Sequence, residues 1–166
     1  MTHKIYLGLG SNLGDRRQFL ARAIAALPPE VQPIKLSPIY ESPPWGFADQ
    51  GDFLNMTLEA HTALSPRALL THLKRIENEL GRTPTFKNGP REIDIDILLY
   101  DDLILEADDL TIPHLGLPAR AFVLAPLAAI APDAQHPPSG QTVAEMLSQV
   151  DAEGLQKITD LEIALE

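Results

Sequence analysis

The chain has 166 residues, enough for one domain with a real core and short of two ordinary ones. Its 45% apolar and 22% charged residues are the balance of a globular protein, and a net charge of −10 argues against a duplex nucleic-acid binder, which needs a basic surface. Without cysteine there is no disulfide framework, thiolate metal site or redox pair. The apolar run after Lys4 is too short for a signal peptide and no later stretch would span a membrane, so a cytoplasmic location is expected.

In chain order, Ile5-Tyr6-Leu7-Gly8-Leu9-Gly10 reads as a strand entering a turn at Ser11-Asn12-Leu13-Gly14-Asp15. A helix from about Arg16 to Leu27 follows, stopped by Pro28-Pro29. Residues 31–40 read as a strand with prolines near its ends, hence an edge strand. After an aperiodic loop, residues 53–63 return to strand. Ser65-Pro66 gives an N-cap with proline at the first helical position, opening a helix to Leu80 that stops at Gly81. A polar loop from Arg82 to Pro90 leads into a strand ending at Tyr100. The order β-α-β-β-α-β predicts an α+β fold with a ferredoxin-like antiparallel core. A small hairpin around Leu103-Ile104-Leu105, helices around 119–130 and 143–150, and a peripheral acidic tail over 151–166 complete one domain spanning residues 1–166.

The most informative stretch is Arg91-Glu92-Ile93-Asp94-Ile95-Asp96-Ile97-Leu98-Leu99-Tyr100. Period-2 alternation puts Asp94 and Asp96 on one face, opposite the isoleucines, with backbone attachments roughly 6.6 Å apart. At an effective dielectric of ~20 two such anions repel by roughly 2.5 kcal/mol. A cation between them would give that cost a purpose. Magnesium suits best, since it is typically held by one or two carboxylates plus substrate phosphates. Taken alone, a bare Asp-x-Asp reads more readily as an amphipathic strand with a wet acidic face.

Other groups change the balance. Arg82, Lys87 and Arg91 make a local positive loop in an acidic chain, and Arg91 stands directly before the acidic strand. Phosphoryl transfer needs cation-binding acids and phosphate-binding bases side by side. His114 and Arg120 could add ligands to a polyphosphate, although a lone loop histidine is more often simply exposed. Ser42-Pro43-Pro44-Trp45-Gly46-Phe47 with Phe53-Leu54-Asn55 offers stiff backbone, flat apolar faces and an amide, a set that suits a planar heterocycle or, equally, a capped core. Gly8-x-Gly10-x-x-x-Gly14 misses the dinucleotide fingerprint by one residue, and there is no Walker A lysine. These glycines read as room for a tight turn or close strand packing, with Ser11 and Asn12 free to line a site at the strand's end.

Together these blocks, with Ile76-Glu77 through Gly81-Arg82, Gly89-Pro90-Arg91, Ile112-Pro113-His114 and Arg120-Ala121-Phe122-Val123-Leu124-Ala125-Pro126-Leu127, resemble the 6-hydroxymethyl-7,8-dihydropterin pyrophosphokinases of folate biosynthesis, in order over about residues 4–130. The resemblance implies a monomer that transfers the β,γ-diphosphate of ATP to the pterin hydroxymethyl group and releases AMP. By similarity Asp94 and Asp96 hold two magnesium ions. Ser42, Pro43, Trp45, Phe53, Asn55 and Phe122 form the pterin pocket. Glu77, Arg82, Lys87, Arg91, His114 and Arg120 bind ATP, with Arg91 and Arg120 neutralising charge at the phosphates and counted with the two acids as catalytic. The loop Thr83-Pro84-Thr85-Phe86-Lys87-Asn88 departs from the pattern, with Asn88 in place of a tryptophan. Asp109 and Leu115 stand where some relatives carry arginine and tyrosine. A two-metal nucleotidyltransferase releasing pyrophosphate, or a non-catalytic nucleotide- or calcium-binding module, could use the same acids. Neither explains a slot for a second planar molecule.

Overall fold

The computed structural model describes residues 2–44, 49–86, 89–159 and 163. Its central strand β1 (His3–Ser11) shows the alternation expected from its sequence: Ile5, Leu7 and Leu9 face one way, Gly8 and Gly10 the other. Asp15 then caps α1 (Arg16–Ala26), its side chain accepting the Gln18 N–H at 3.1 Å. Strands β2 (Val31–Leu36) and β3 (Ile39–Ser42) both pair antiparallel with β4 (Phe53–Thr62). The single strand expected over residues 31–40 is therefore two, separated at Ser37-Pro38. Pro38 has no N–H, and the Ser37 hydroxyl keeps the ladder satisfied by accepting the Thr57 N–H at 2.8 Å.

Ser65 caps α2 (Pro66–Glu79) as expected, and β5 (Asp94–Tyr100) returns beside β1. The main sheet runs β5-β1-β4-β3, with β2 also on β4; its neighbouring pairs are antiparallel. This is the expected ferredoxin-like α+β arrangement. The small hairpin falls a little later than expected, as β6 (Leu105–Glu106) with β7 (Thr111–Ile112). A 3-10 turn at Leu117–Ala119 precedes α3 (Ala121–Ile130), and a Thr142–Glu145 capping box opens α4 (Val143–Ser148). The tail expected to be peripheral supplies a further strand, β8 (Gln156–Ile158), paired with β3 at the sheet edge. Ile158 and Ile163 pack against the core. No helix among the described residues is long and apolar enough to cross a membrane.

The two faces of the sheet are covered differently. Leu20, Ile24 and Leu27 of α1 and Leu69, Leu73 and Ile76 of α2 bury Ile5, Leu7, Leu9, Leu58, Ile95 and Ile97. On the other face Leu124, Leu127 and Ile130 of α3 with Val143 and Met146 of α4 cover Tyr6, Leu98 and Leu99. Strict alternation would send Leu98 and Leu99 to opposite faces. A register shift between Tyr6 and Leu7 makes Leu98 the extra residue, so both leucines join the second cluster. The rest of that second face, at the Asp94 end of β5, is left for the site.

Candidate functional site

Sheet register builds the floor. Asp94 pairs with Gly10 and Gly10 with Asn55; one step along, Asp96 pairs with Gly8 and Gly8 with Thr57. Residues directly opposite share a face, so two carboxylates lie on one side of a glycine strip and two polar groups on the other. An added Cβ on Gly10 would stand 3.5 Å from Phe53 and 3.6 Å from the Asn55 Oδ1, within the cleft itself. Glycine here keeps the floor flat; neither residue has the positive φ of a turn glycine. The pattern that could have revealed this was present in the sequence, because glycines two apart on a strand must face the same way.

Two adjoining cavities open above this floor. The first is lined by Gly8, Gly10, Ser42, Pro43, Phe53, Asn55, Thr57, Leu98, Phe122 and Val123, the second by Arg82, Thr85, Phe86 and His114. Arg91, Asp94, Asp96 and Arg120 line both. The first cavity thus gathers Ser42, Pro43, Phe53, Asn55 and Phe122, the expected pterin residues that are described. Asn55 is oriented from below, its amide donating to the Ser42 Oγ at 2.8 Å. Trp45 of that set and Lys87 of the expected ATP ligands lie outside the described residues. Thr57, Leu98 and Val123 were missed because they read as ordinary strand and helix positions. If a planar ligand rests on this floor, Gly10→Ala should raise its KM about tenfold, the loss of roughly 1.4 kcal/mol of binding, with an unchanged melting temperature. Steady-state kinetics and calorimetry would check this.

The charges are tightly arranged around the shared residues. Asp94 lies 3.3 Å from the Arg91 Nη1 and 3.8 Å from the Arg82 Nη1. The Arg91 guanidinium sits 5.4 Å over the Phe53 ring and that of Arg120 5.8 Å over Phe122. Arg91 therefore links an aromatic of the first cavity to Asp94, while Arg120 stands over the other aromatic and lines both cavities. Among the described residues Asp96 makes no ion pair with an arginine or lysine. Burial, the charge and hydrogen bond of Asp94, and the charge of Glu77 push its carboxyl well above the ordinary range, with Lys74 pulling the other way. The His114 imidazole is lowered by burial and by Arg120, with Asp94 opposing. The Gly116 N–H donates to its Nδ1 at 3.0 Å, so the neutral ring carries its proton on Nε2, which lies 3.7 Å from the Asp96 Oδ2.

Glu77, expected as an ATP ligand, sits behind the acidic strand. Its side chain is 2% exposed and lines neither cavity. One carboxylate oxygen accepts the Ile95 N–H at 2.7 Å, and the other takes Arg82 at 2.8 Å and Lys74 at 3.2 Å. It holds the strand between the two aspartates and steadies Arg82, a positioning task that sequence spacing could not reveal. Asp109 pairs at the surface with Arg67, and Leu115 is exposed beside His114.

A family model described as 7,8-dihydro-6-hydroxymethylpterin-pyrophosphokinase (HPPK) matches residues 6–132. The 2-amino-4-hydroxy-6-hydroxymethyldihydropteridine pyrophosphokinase of Aquifex aeolicus is 49% identical over 133 residues, covering 80% of this chain and 83% of that protein. The protein of the same name from Methylorubrum extorquens is 42% identical over 157 residues, covering 93% and 98%. Among solved structures, Plasmodium falciparum HPPK-DHPS with pteroate matches with a TM-score of 0.72 at 18% identity, over 90% of this chain and 42% of that one; that likeness concerns the fold. On the match over residues 6–132 and these identities, the chain belongs to the 7,8-dihydro-6-hydroxymethylpterin-pyrophosphokinase family.

Proposed function

We propose that this chain transfers the β,γ-diphosphate of ATP to the hydroxymethyl group of 6-hydroxymethyl-7,8-dihydropterin and releases AMP, a step of folate biosynthesis. The observation that carries this reading is the sharing of Arg91, Asp94, Asp96 and Arg120 by an apolar cavity with an amide at its base and a polar, cationic one. The pterin occupies the first, between Phe53 and Phe122 with Asn55 at its edge. The ATP polyphosphate occupies the second, against Arg82, His114 and the two shared arginines. The hydroxymethyl oxygen forms the new bond to the β-phosphorus, the bond from that phosphorus to the departing AMP oxygen breaks, and the hydroxyl proton goes to water. Arg91 and Arg120 meet charge that builds on the transferred group. Neutral His114 offers its Nε2–H as a donor without adding a proton to the balance.

Asp94 and Asp96 would hold two magnesium ions. Their donor set fits that metal: two carboxylates on one face, one of them destabilised by the other, and no cluster of three His, Cys, Asp or Glu among the described residues to form an all-protein cage. When bound, magnesium neutralises phosphate charge and lowers the pKa of a ligated hydroxyl. A nucleotidyltransferase would leave the apolar cavity without a use. Incubation with ATP, Mg²⁺ and the pterin alcohol should yield AMP in step with the diphosphorylated pterin. ADP or pyrophosphate as product, or no turnover, would overturn the assignment.

A further inference from the structure

The turn after β1 ties together two segments far apart in sequence. Asn12 is 7% exposed, and its side chain is fully engaged in two directions. Toward the polyphosphate cavity its Oδ1 accepts the Arg91 N–H at 2.9 Å, while its own N–H donates to the Arg91 carbonyl at 3.1 Å. Arg91 is thereby clamped through both backbone groups, one residue position from which its guanidinium reaches Asp94 and Phe53. Toward the pterin side the Asn12 amide donates to the Gln50 Oε1 at 2.8 Å and the Gly51 carbonyl at 3.0 Å. That segment leads directly into Phe53 and Asn55 of the apolar cavity. A single amide thus spans the stems of both substrate sites. Its acceptor oxygen serves one and its donor nitrogen the other.

We propose that Asn12 is the positioning residue that couples the binding of the two substrates, so that the arrangement of Arg91 favoured by ATP is passed to residues 50–51 and to the pterin cavity. The inference rests on the pterin diphosphokinase reading given above. Coupling of this kind is a reciprocal quantity: ATP must tighten pterin by the same factor as pterin tightens ATP. Arg16 provides the contrast. It secures the same stem from α1, donating to the Glu41 carboxylate at 2.7 Å and the Asp52 carbonyl at 3.0 Å, with no bond among these to Arg91. Losing Arg16 should weaken pterin binding without uncoupling it.

The test is calorimetric titration of the pterin alcohol with and without α,β-methylene ATP and Mg²⁺, on the full chain. The wild type should show a coupling ratio of at least about tenfold. Asn12→Ala should bring it below about twofold, Gln50→Met should lower it part of the way, and Arg16→Ala should leave it as in the wild type while raising the pterin Kd. A purely structural asparagine would lower thermal stability and both affinities together and leave the ratio unchanged, which would overturn the inference. So would a wild type that binds both ligands without coupling. If Asn12→Ala fails to fold, Gln50→Met decides, and an unchanged ratio there overturns the inference equally. Failure of the wild type to bind either ligand would instead overturn the functional reading.

Discussion

Asp96→Asn is expected to abolish turnover, by about a thousandfold or more, and at the same time to make the metal-free protein more stable than the wild type. Both effects have one origin. Asp96 lies beside Asp94 on the floor of the cleft, and its carboxyl is pushed well above its ordinary value of 3.8. In the unfolded chain the burial is gone, water screens Asp94, and the carboxyl titrates normally. The folded state therefore binds more protons than the unfolded state once pH rises past 3.8, so stability falls with increasing pH until the raised value is passed. Below 3.8 both states are protonated and the group contributes nothing. Asparagine removes the titration and the repulsion together. In EDTA, the gap between the melting temperatures of Asp96→Asn and the wild type should widen as pH is raised from 4 toward neutrality. Mg²⁺ with ATP should then raise the wild-type melting temperature and leave the variant nearly unmoved. Parallel pH profiles for the two proteins would count against this account, and so would an Asp96→Asn enzyme with near-normal rates. On the proposed reading the acids are kept despite their cost to folding because the charge that destabilises the cleft would attract the metal.

Where local chemistry alone determines an element, the sequence and the structure agree closely. Ser65-Pro66 opens α2 and Asp15 opens α1 because a cap needs only a side-chain oxygen and an orphan N–H nearby. The acids of β5 face together because alternation is a property of any strand. Agreement fails where a distant residue decides. Leu99 changes face because of a bulge set by the pairing of β5 with β1, which its own sequence cannot show. Residues 31–42 divide at Ser37-Pro38, where Pro38 has no N–H and the distant Thr57 of β4 finds the Ser37 hydroxyl as its acceptor. Gly8 and Gly10 read only as room for a tight turn or close strand packing until their neighbours on both sides prove to be the acids and the amide of the site. The same limit applied to Glu77, whose partners are 5 and 18 residues away along the chain and become close only when α2 packs behind β5.

That position of Glu77 leads to an expected loss of stability rather than of nucleotide contact. Glu77→Ala removes the acceptor of the Ile95 N–H and the partner of Arg82 in a place with 2% side-chain exposure. Breaking a buried charged pair from one side typically costs 3–5 kcal/mol. Arg82 keeps 22% of its exposure and can turn to water, which places the expected cost near the lower end, about 3 kcal/mol. For a chain of 166 residues that corresponds to a fall in melting temperature of roughly 6–12 °C. Turnover should fall as well, because Ile95 lies between the two aspartates and a loosened strand misplaces both. Glu77→Gln retains a carbonyl oxygen for the Ile95 N–H and should lose only about 1 kcal/mol, with rates within about tenfold of the wild type. A direct ATP ligand would behave in the opposite way. The alanine variant would then melt like the wild type and show a large rise in the KM for ATP alone. Thermal melts paired with ATP saturation curves separate the two roles, because a carboxylate buried behind β5 can act on the nucleotide only through Arg82 and the strand that carries Asp94 and Asp96.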